Sequence, residues 1–486
     1  MLVLASCNMG KPEQVTDART VYSQPDIYPD YVGVTIPAGI APLDFCMRSD
    51  SARLIDAVFT GTVKGELHAQ GSASTCIDPE QWQQLLTDNR GGSLYVTVSA
   101  KYDDGWRSYV PFGIDISTDS IDYGITYRLI EPGYEAYTKM GIYETRLQDS
   151  HERPLLVNTQ FRGCVNCHSY NHCNPDYQSL HIRGDHGATL LQHPGQDGQL
   201  RAYDTKTAET LGLCVYPYWH PTGRYIAYST NRTRQGFHSG GHKIVEVIDQ
   251  ASDLQVYDVE HGELIVSDLL RNPDVLETYP TFSPDGRTLY FCAARQLHDS
   301  IEVRDIRYDL CSISFDPETG TLGSHIDTLL QVSTEGKSIA FPRPSYDGRF
   351  ICFTLADYGN FHVWHPEADL YLLDLRSHEV RPMTAANSPD SESVHNWSSN
   401  SRWMVFGSRR DDGLYTRPYF CHIDTAGQVS KAFMLPQRSP KEFYTSRFFS
   451  YNIPDFITHA VPLDSRQAAD IIVSPERTGM KARVQP

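Results

Sequence analysis

The run Thr281-Phe282-Ser283-Pro284-Asp285-Gly286-Arg287-Thr288-Leu289-Tyr290-Phe291 reads as a strand, a tight turn and a second, more apolar strand. Pro and Asp-Gly supply the turn, and the apolar residues on either side supply buried strands. The chain repeats this unit at Tyr218-Trp219-His220-Pro221-Thr222-Gly223-Arg224-Tyr225-Ile226-Ala227-Tyr228-Ser229, again at 343–353, and in degraded form at 396–406. Each copy is followed by a second hairpin of the type Asp-apolar-x-apolar-turn-apolar, at Asp253 to Val266, Asp309 to Leu322, Asp369 to Val380 and Tyr419 to Val429. An orphan copy of that hairpin, Leu200 to Thr210, precedes the first full repeat. Four strands per unit make the blade of a β-propeller. The repeating Arg224, Arg287, Arg349 and Arg402 are 63, 62 and 53 residues apart, longer than the roughly 40–45 residues of a minimal blade, so the excess is loop. The expectation is a mainly β chain with a propeller over residues 195–462 and a C-terminal tail over 463–486. Five blades follow from the hairpin count, with Phe443 to Val461 closing the blade begun at Leu200. Six is the alternative, with the N-terminal region completing one.

Upstream, residues 26–147 show short β-type runs at Val32 to Ile36, Ala57 to Val63, Ser93 to Ser99, Trp106 to Ile114 and Ile125 to Ile130, with one short helix around Pro79 to Leu86. Evenly spaced strands of this kind suggest a β-sandwich-like domain. No catalytic constellation stands out in it, which leaves a structural or docking role.

Between these regions, residues 148–194 contain Phe161-Arg162-Gly163-Cys164-Val165-Asn166-Cys167-His168. C-x-x-C-H is the spacing at which haem c is attached: two thiols on one turn add to the vinyl groups of one porphyrin, and the adjacent histidine ligates the iron. The expected cofactor is one covalent haem c on Cys164 and Cys167, with His168 as the iron ligand. The segment is rich in Pro, Gly and His and reads as a loop that wraps a cofactor. His172 follows His168 by one helical turn and would face the same side of the ring. His186, then His181, are therefore the candidates for the second iron ligand, with Met140 as a further alternative. Gly184 gives the backbone freedom for the return, and Arg183 is placed to pair with a haem propionate. Two other readings stay open: a zinc site built from Cys164, Cys167, His172 and Cys173, and a local disulfide or redox pair.

Composition narrows the classes. The 486 residues carry 60 Asp and Glu against 42 Lys and Arg, a net charge of -18, which argues against nucleic-acid binding and against docking on anionic lipid. No apolar run is long enough for a transmembrane helix. Motifs for a hydrolase, a phosphate-binding loop or a dinucleotide site are missing, which leans away from an enzyme. Cys214, Cys292, Cys311, Cys352 and Cys421 fall in apolar strand-like runs and read as core. Cys46 and Cys76 share the N-terminal domain and could pair.

Three resemblances frame the function. Leu4-Ala5-Ser6-Cys7 resembles a bacterial lipobox within a shortened leader, 1–7, followed by a polar tether, 8–25. It implies lipidation at Cys7, export to the periplasm or an outer-membrane anchor, and no other membrane contact. The aromatic-Ser-Pro-Asp-Gly-Arg-x-apolar run of Phe282 to Phe291 resembles the TolB-type propeller repeat, a family whose propellers have six blades. The likeness covers a little over half the chain; Thr222 and Ser401 depart from the pattern. The combination is similar to exported bacterial TolB-like lipoproteins with a c-type haem. Three functions are compatible with it: electron transfer to a redox partner, an envelope scaffold whose haem or metal is structural, and a haem enzyme with an open distal site.

Overall fold

Six sheets arranged as propeller blades account for the chain from Gly124 onward in the computed structural model, which describes residues 12–49, 51–133, 138–239, 243–297 and 302–485. Blade one holds Gly124–Ile130, Gly141–Arg146 and Glu152–Val157, and takes its innermost strand, Ser450–Ile457, from far downstream. Blade two is Cys164–Asn171, Asn174–Arg183, Ala188–Gln192 and Arg201–Asp204; blade three is Val215–Trp219, Tyr225–Phe237, Val245–Asp258 and Glu263–Ser267. Blades four, five and six begin at Val275–Phe282, Ser338–Pro344 and Glu392–Trp397. A blade is apolar on both faces because each face packs on a neighbour, and the core clusters fall between successive sheets in this way.

Three expectations are corrected. Residues 148–194 are not a loop: they supply the end of blade one and most of blade two. The closing strand completes the blade begun at Gly124, not the one begun at Leu200, so the count is six. The segment after 462 is not a loose tail, since a helix, Ser465–Val473, leads into Thr478–Gly479 and Lys481–Gln485, which add parallel fifth strands to blades two and three.

The repeated turns explain why the sequence repeats. In blade five Ser345 Oγ donates to Asp347 Oδ1 (2.7 Å) and accepts from Phe350 N (2.9 Å), while Gly348 N donates to Ser345 O (2.9 Å). Gly223, Gly286 and Gly348 take the left-handed conformation this turn requires, with φ of 70–78°. A Cβ on Gly286 would meet His220 Nε2 at 2.0 Å, so the neighbouring blade excludes a side chain there as well. Ser401, at φ 61°, occupies the same position in blade six, where its Oγ accepts from Asp347 N (3.0 Å) and ties two turns together.

A second repeated feature lies in the backbone. On each inner strand one non-glycine residue has a left-handed φ: Cys167 48°, Tyr216 51°, Tyr279 54°, Phe341 53°, Val394 47° and Ile453 52°. Each coincides with a slip in ladder register, the mark of a β-bulge. Left-handed φ is strained for β-branched Val394 and Ile453, so the fold and not the local sequence imposes it.

The chain up to Ile121, with Arg146–His151 and Tyr419–Phe448, forms a separate compact unit. Seven strands of the chain up to Ile121 make one branched sheet, and Ile27–Tyr28 pairs with Cys46–Met47 in a separate two-stranded sheet. The helix is Pro79–Asp88, capped by Asp78, which accepts from Gln81 N; Trp82 is fully buried, edge-on to Phe59 at 5.5 Å. Cys46 is in no disulfide and its thiol donates to Tyr28 O, so it is not paired with Cys76. No described helix is long and apolar enough to cross a membrane. The lipobox, with Cys7, lies outside the described residues.

Candidate functional site

The six bulges turn their side chains toward the propeller axis. The rings of Tyr216 and Tyr279, from blades three and four, lie 4.6 Å apart, and those of Tyr279 and Phe341, from blades four and five, 4.5 Å apart. Val394 of blade six shares their cluster, and Ile453 of blade one packs against it. Cys167 borders Tyr216. Each of these contacts joins neighbouring inner strands, so the bulge side chains pack from blade to blade along the inner edge of the propeller.

Cys167 is thus a buried bulge residue packed beside Tyr216, and this decides how the C-x-x-C-H motif reads. Cys164 through Asn171 is one strand, bent by the bulge at Cys167, and not the helical turn expected for porphyrin attachment. His168 faces blade one, where Thr126 and Arg128 approach it, whereas Cys167, its neighbour in sequence, turns to the axis. His181 lies between Leu180 and Ile182, which both pack toward blade one, so its ring is on the opposite face of the sheet from His168. One iron cannot lie between them. Cys164, Cys167 and His168 are only 6%, 3% and 3% exposed.

The other sequence candidates are dispersed too. Arg183 is the cross-strand neighbour of Cys164. His186 occupies the turn between the second and third strands of blade two, and Met140 is buried where blade one's second strand begins. His172 lies in the hairpin turn at the far end of the Cys164 strand, stacked on Tyr346 at 3.9 Å. Cys164, Cys167 and Cys173 are free thiols, which answers the disulfide reading, and no three or more His, Cys, Asp or Glu side chains converge on a metal geometry among the described residues. Burial, with Arg128 and Arg183 respectively adding to it, pushes the pKa values of His168 and His181 down to about 3, so both rings are neutral. The residues do not fit a covalent haem c.

The channel ends differ. At the turn end a cavity of about 50 Å³ is lined by Tyr170, Tyr218, Trp219, Phe282, Tyr346 and His172, among others. Ligand pockets run to roughly 300–1,000 Å³, so this one holds a few waters at most.

The opposite end carries a cluster the sequence reading missed. Blade three's middle strands, 13 and 14 residues long, run past the blade as a hairpin. Val245 and Ile248 from it pack with the bulge residues and with Val363 and Trp364, which belong to the link inside blade five. There Glu246 Oε2 meets His365 Nε2 at 3.0 Å, His365 Nδ1 meets Glu367 Oε1 at 3.2 Å, and Lys243 Nζ donates to Glu367 Oε1 at 2.8 Å. Tyr358 Oη donates to Glu246 Oε1 (3.1 Å) and accepts from Lys243 (3.0 Å), and His238 Nε2 lies 3.3 Å from Glu246. Burial alone would lower His365; its two carboxylate partners outweigh this and hold it above the ordinary imidazole value. Burial would raise Glu246 and Glu367, yet the facing cations keep Glu246 low and bring Glu367 to about 2. Two anions and two cations therefore form a neutral clasp between blades three and five, with Glu246 and His365 buried and Lys243 and Glu367 partly exposed. His365 is completely buried, and the cluster ties the hairpin to blade five. The legible signal was the excess length between Arg224 and Arg287.

No family model matches the chain, and no curated protein matches it. Among solved structures, prolyl oligopeptidase B from Galerina marginata is 12% identical, with 82% of this chain and 54% of that one covered at a TM-score of 0.37. Tricorn protease is 11% identical, with 82% and 43% covered at 0.34, and a Bacteroides thetaiotaomicron protein of unknown function is 9% identical, with 86% and 100% covered at 0.32. The chain spans about half the length of the oligopeptidase. None of these likenesses bears on activity.

Proposed function

We propose that this chain is a binding scaffold: a six-bladed propeller that works by docking another protein, and neither carries electrons nor turns over a small substrate. One observation carries the reading. Bulge side chains of the inner strands pack against one another from blade to blade, and the cavity described at the turn end, about 50 Å³, is well below the size of a ligand pocket. The acidic composition suits a protein partner and disfavours nucleic acid.

Crosslinking the full chain in its native cells, followed by purification and peptide mapping, tests this. The expected result is a stoichiometric partner protein with crosslinks to propeller residues. A chain recovered only as a free monomer, or one that turns over a substrate after purification, would overturn the reading.

A further inference from the structure

The hairpin of blade three has a second property. Its first strand, Tyr225–Phe237, is paired on one side with Val245–Asp258 along its whole length, but on the other side the inner strand of blade three reaches it only as far as Ser229. From Thr230 to Phe237 that outer side has no strand partner among the described residues. Arg232, Thr233, Arg234 and Gln235 are exposed in sequence, and Phe237 is 56% exposed. An unpaired run of this length offers a row of backbone donors and acceptors to an added strand.

Its charge selects the strand. Arg232 and Arg234, two apart, share one face of the strand, and no carboxylate ion-pairs with either among the described residues, although Asp253 lies near enough to feel Arg232. Two such edges from two copies would set like charges against each other, which disfavours self-pairing. We propose that residues 231–237 are a docking edge for an extended, acidic segment of a partner protein. The segment adds as a strand beside the hairpin, its backbone meeting the open row of amides and carbonyls. Its carboxylates, spaced two residues apart, meet Arg232 and Arg234. This rests on the scaffold reading and names the surface and the kind of partner.

The probe is a nine-residue peptide alternating Glu and Val, with a Lys-Val peptide as control, titrated against the full chain by fluorescence anisotropy. The Glu peptide is expected to bind. Its affinity should fall at least tenfold in the double variant Arg232→Glu/Arg234→Glu and severalfold as salt is raised from about 50 to about 300 mM, where screening shortens the reach of the arginines. Amides of 231–237 should exchange more slowly in the complex. No binding of the Glu peptide, equal binding of the Lys peptide, or binding indifferent to the double variant would overturn the proposal. A native partner whose crosslinks fall away from 231–237 would also overturn it, while leaving the scaffold reading standing.

Discussion

Replacing His365 by leucine is expected to lower the unfolding free energy by about 3–5 kcal/mol, because it strands the buried Glu246 carboxylate, and an unmatched buried charge costs that much. Urea denaturation at pH 6 measures it. The double variant Glu246→Gln/His365→Leu should lose less than the sum of the two single changes, since each single change strands the other partner. The pH dependence follows from the two directions of shift. His365, raised above 6.5, contributes stability that is complete below that value and is lost as pH rises through its folded value. Glu246, held below 4.5, contributes stability present above that value and lost as pH falls. The clasp is therefore strongest in mildly acidic solution. A loss under about 1 kcal/mol in the leucine variant, or one equal at pH 6 and pH 10, would remove the clasp from the account.

The second large effect has the opposite sign. Glu277 on the inner strand of blade four is 1% exposed, and its Oε2 has no hydrogen-bond partner. Burial, with Asp253 adding repulsion, pushes its pKa up to about 9. A carboxyl held neutral in the fold but free to ionise when unfolded contributes fully only below 4.5, and that contribution is lost as pH rises toward 9. Each pH unit in that window is worth about 1.4 kcal/mol, a ceiling of ~5 kcal/mol at pH 8. Glu277→Gln should accordingly stabilise the protein by about 3 kcal/mol at pH 8 and leave it nearly unchanged at pH 4.5, as read from denaturation at both values. Equal effects at the two pH values would contradict the assignment.

The propeller was legible where its turns were contiguous. Ser283-Pro284-Asp285-Gly286 announces itself because each residue has a fixed task in the turn. Blade two hid for a physical reason: its first turn is His172-Cys173, both at positive φ (48° and 61°), a two-residue hairpin made without the Asn-Gly or Asp-Gly pair that signals one. His168 stands where blades three, four and five have Pro217, Pro280 and Pro342 beside the bulge. That substitution is what completes an apparent C-x-x-C-H. Blade one could not be read as a repeat, since its inner strand comes from Ser450–Ile457, more than three hundred residues downstream of Gly124. The clasp was illegible for another reason: Glu246 and His365 come together through a strand extension and a link, whose lengths a sequence shows and whose paths it does not.

The central claim is that Cys164, Cys167 and His168 are structural parts of the propeller. Its most direct test is the intact mass of the full chain produced in a host with a working cytochrome c maturation system, combined with alkylation. The account predicts a colourless protein with the mass of the polypeptide alone, whose Cys164 and Cys167 resist iodoacetamide in the native state and are alkylated after denaturation. A red protein whose mass exceeds the polypeptide by one haem, with both thiols blocked even after denaturation, would contradict it.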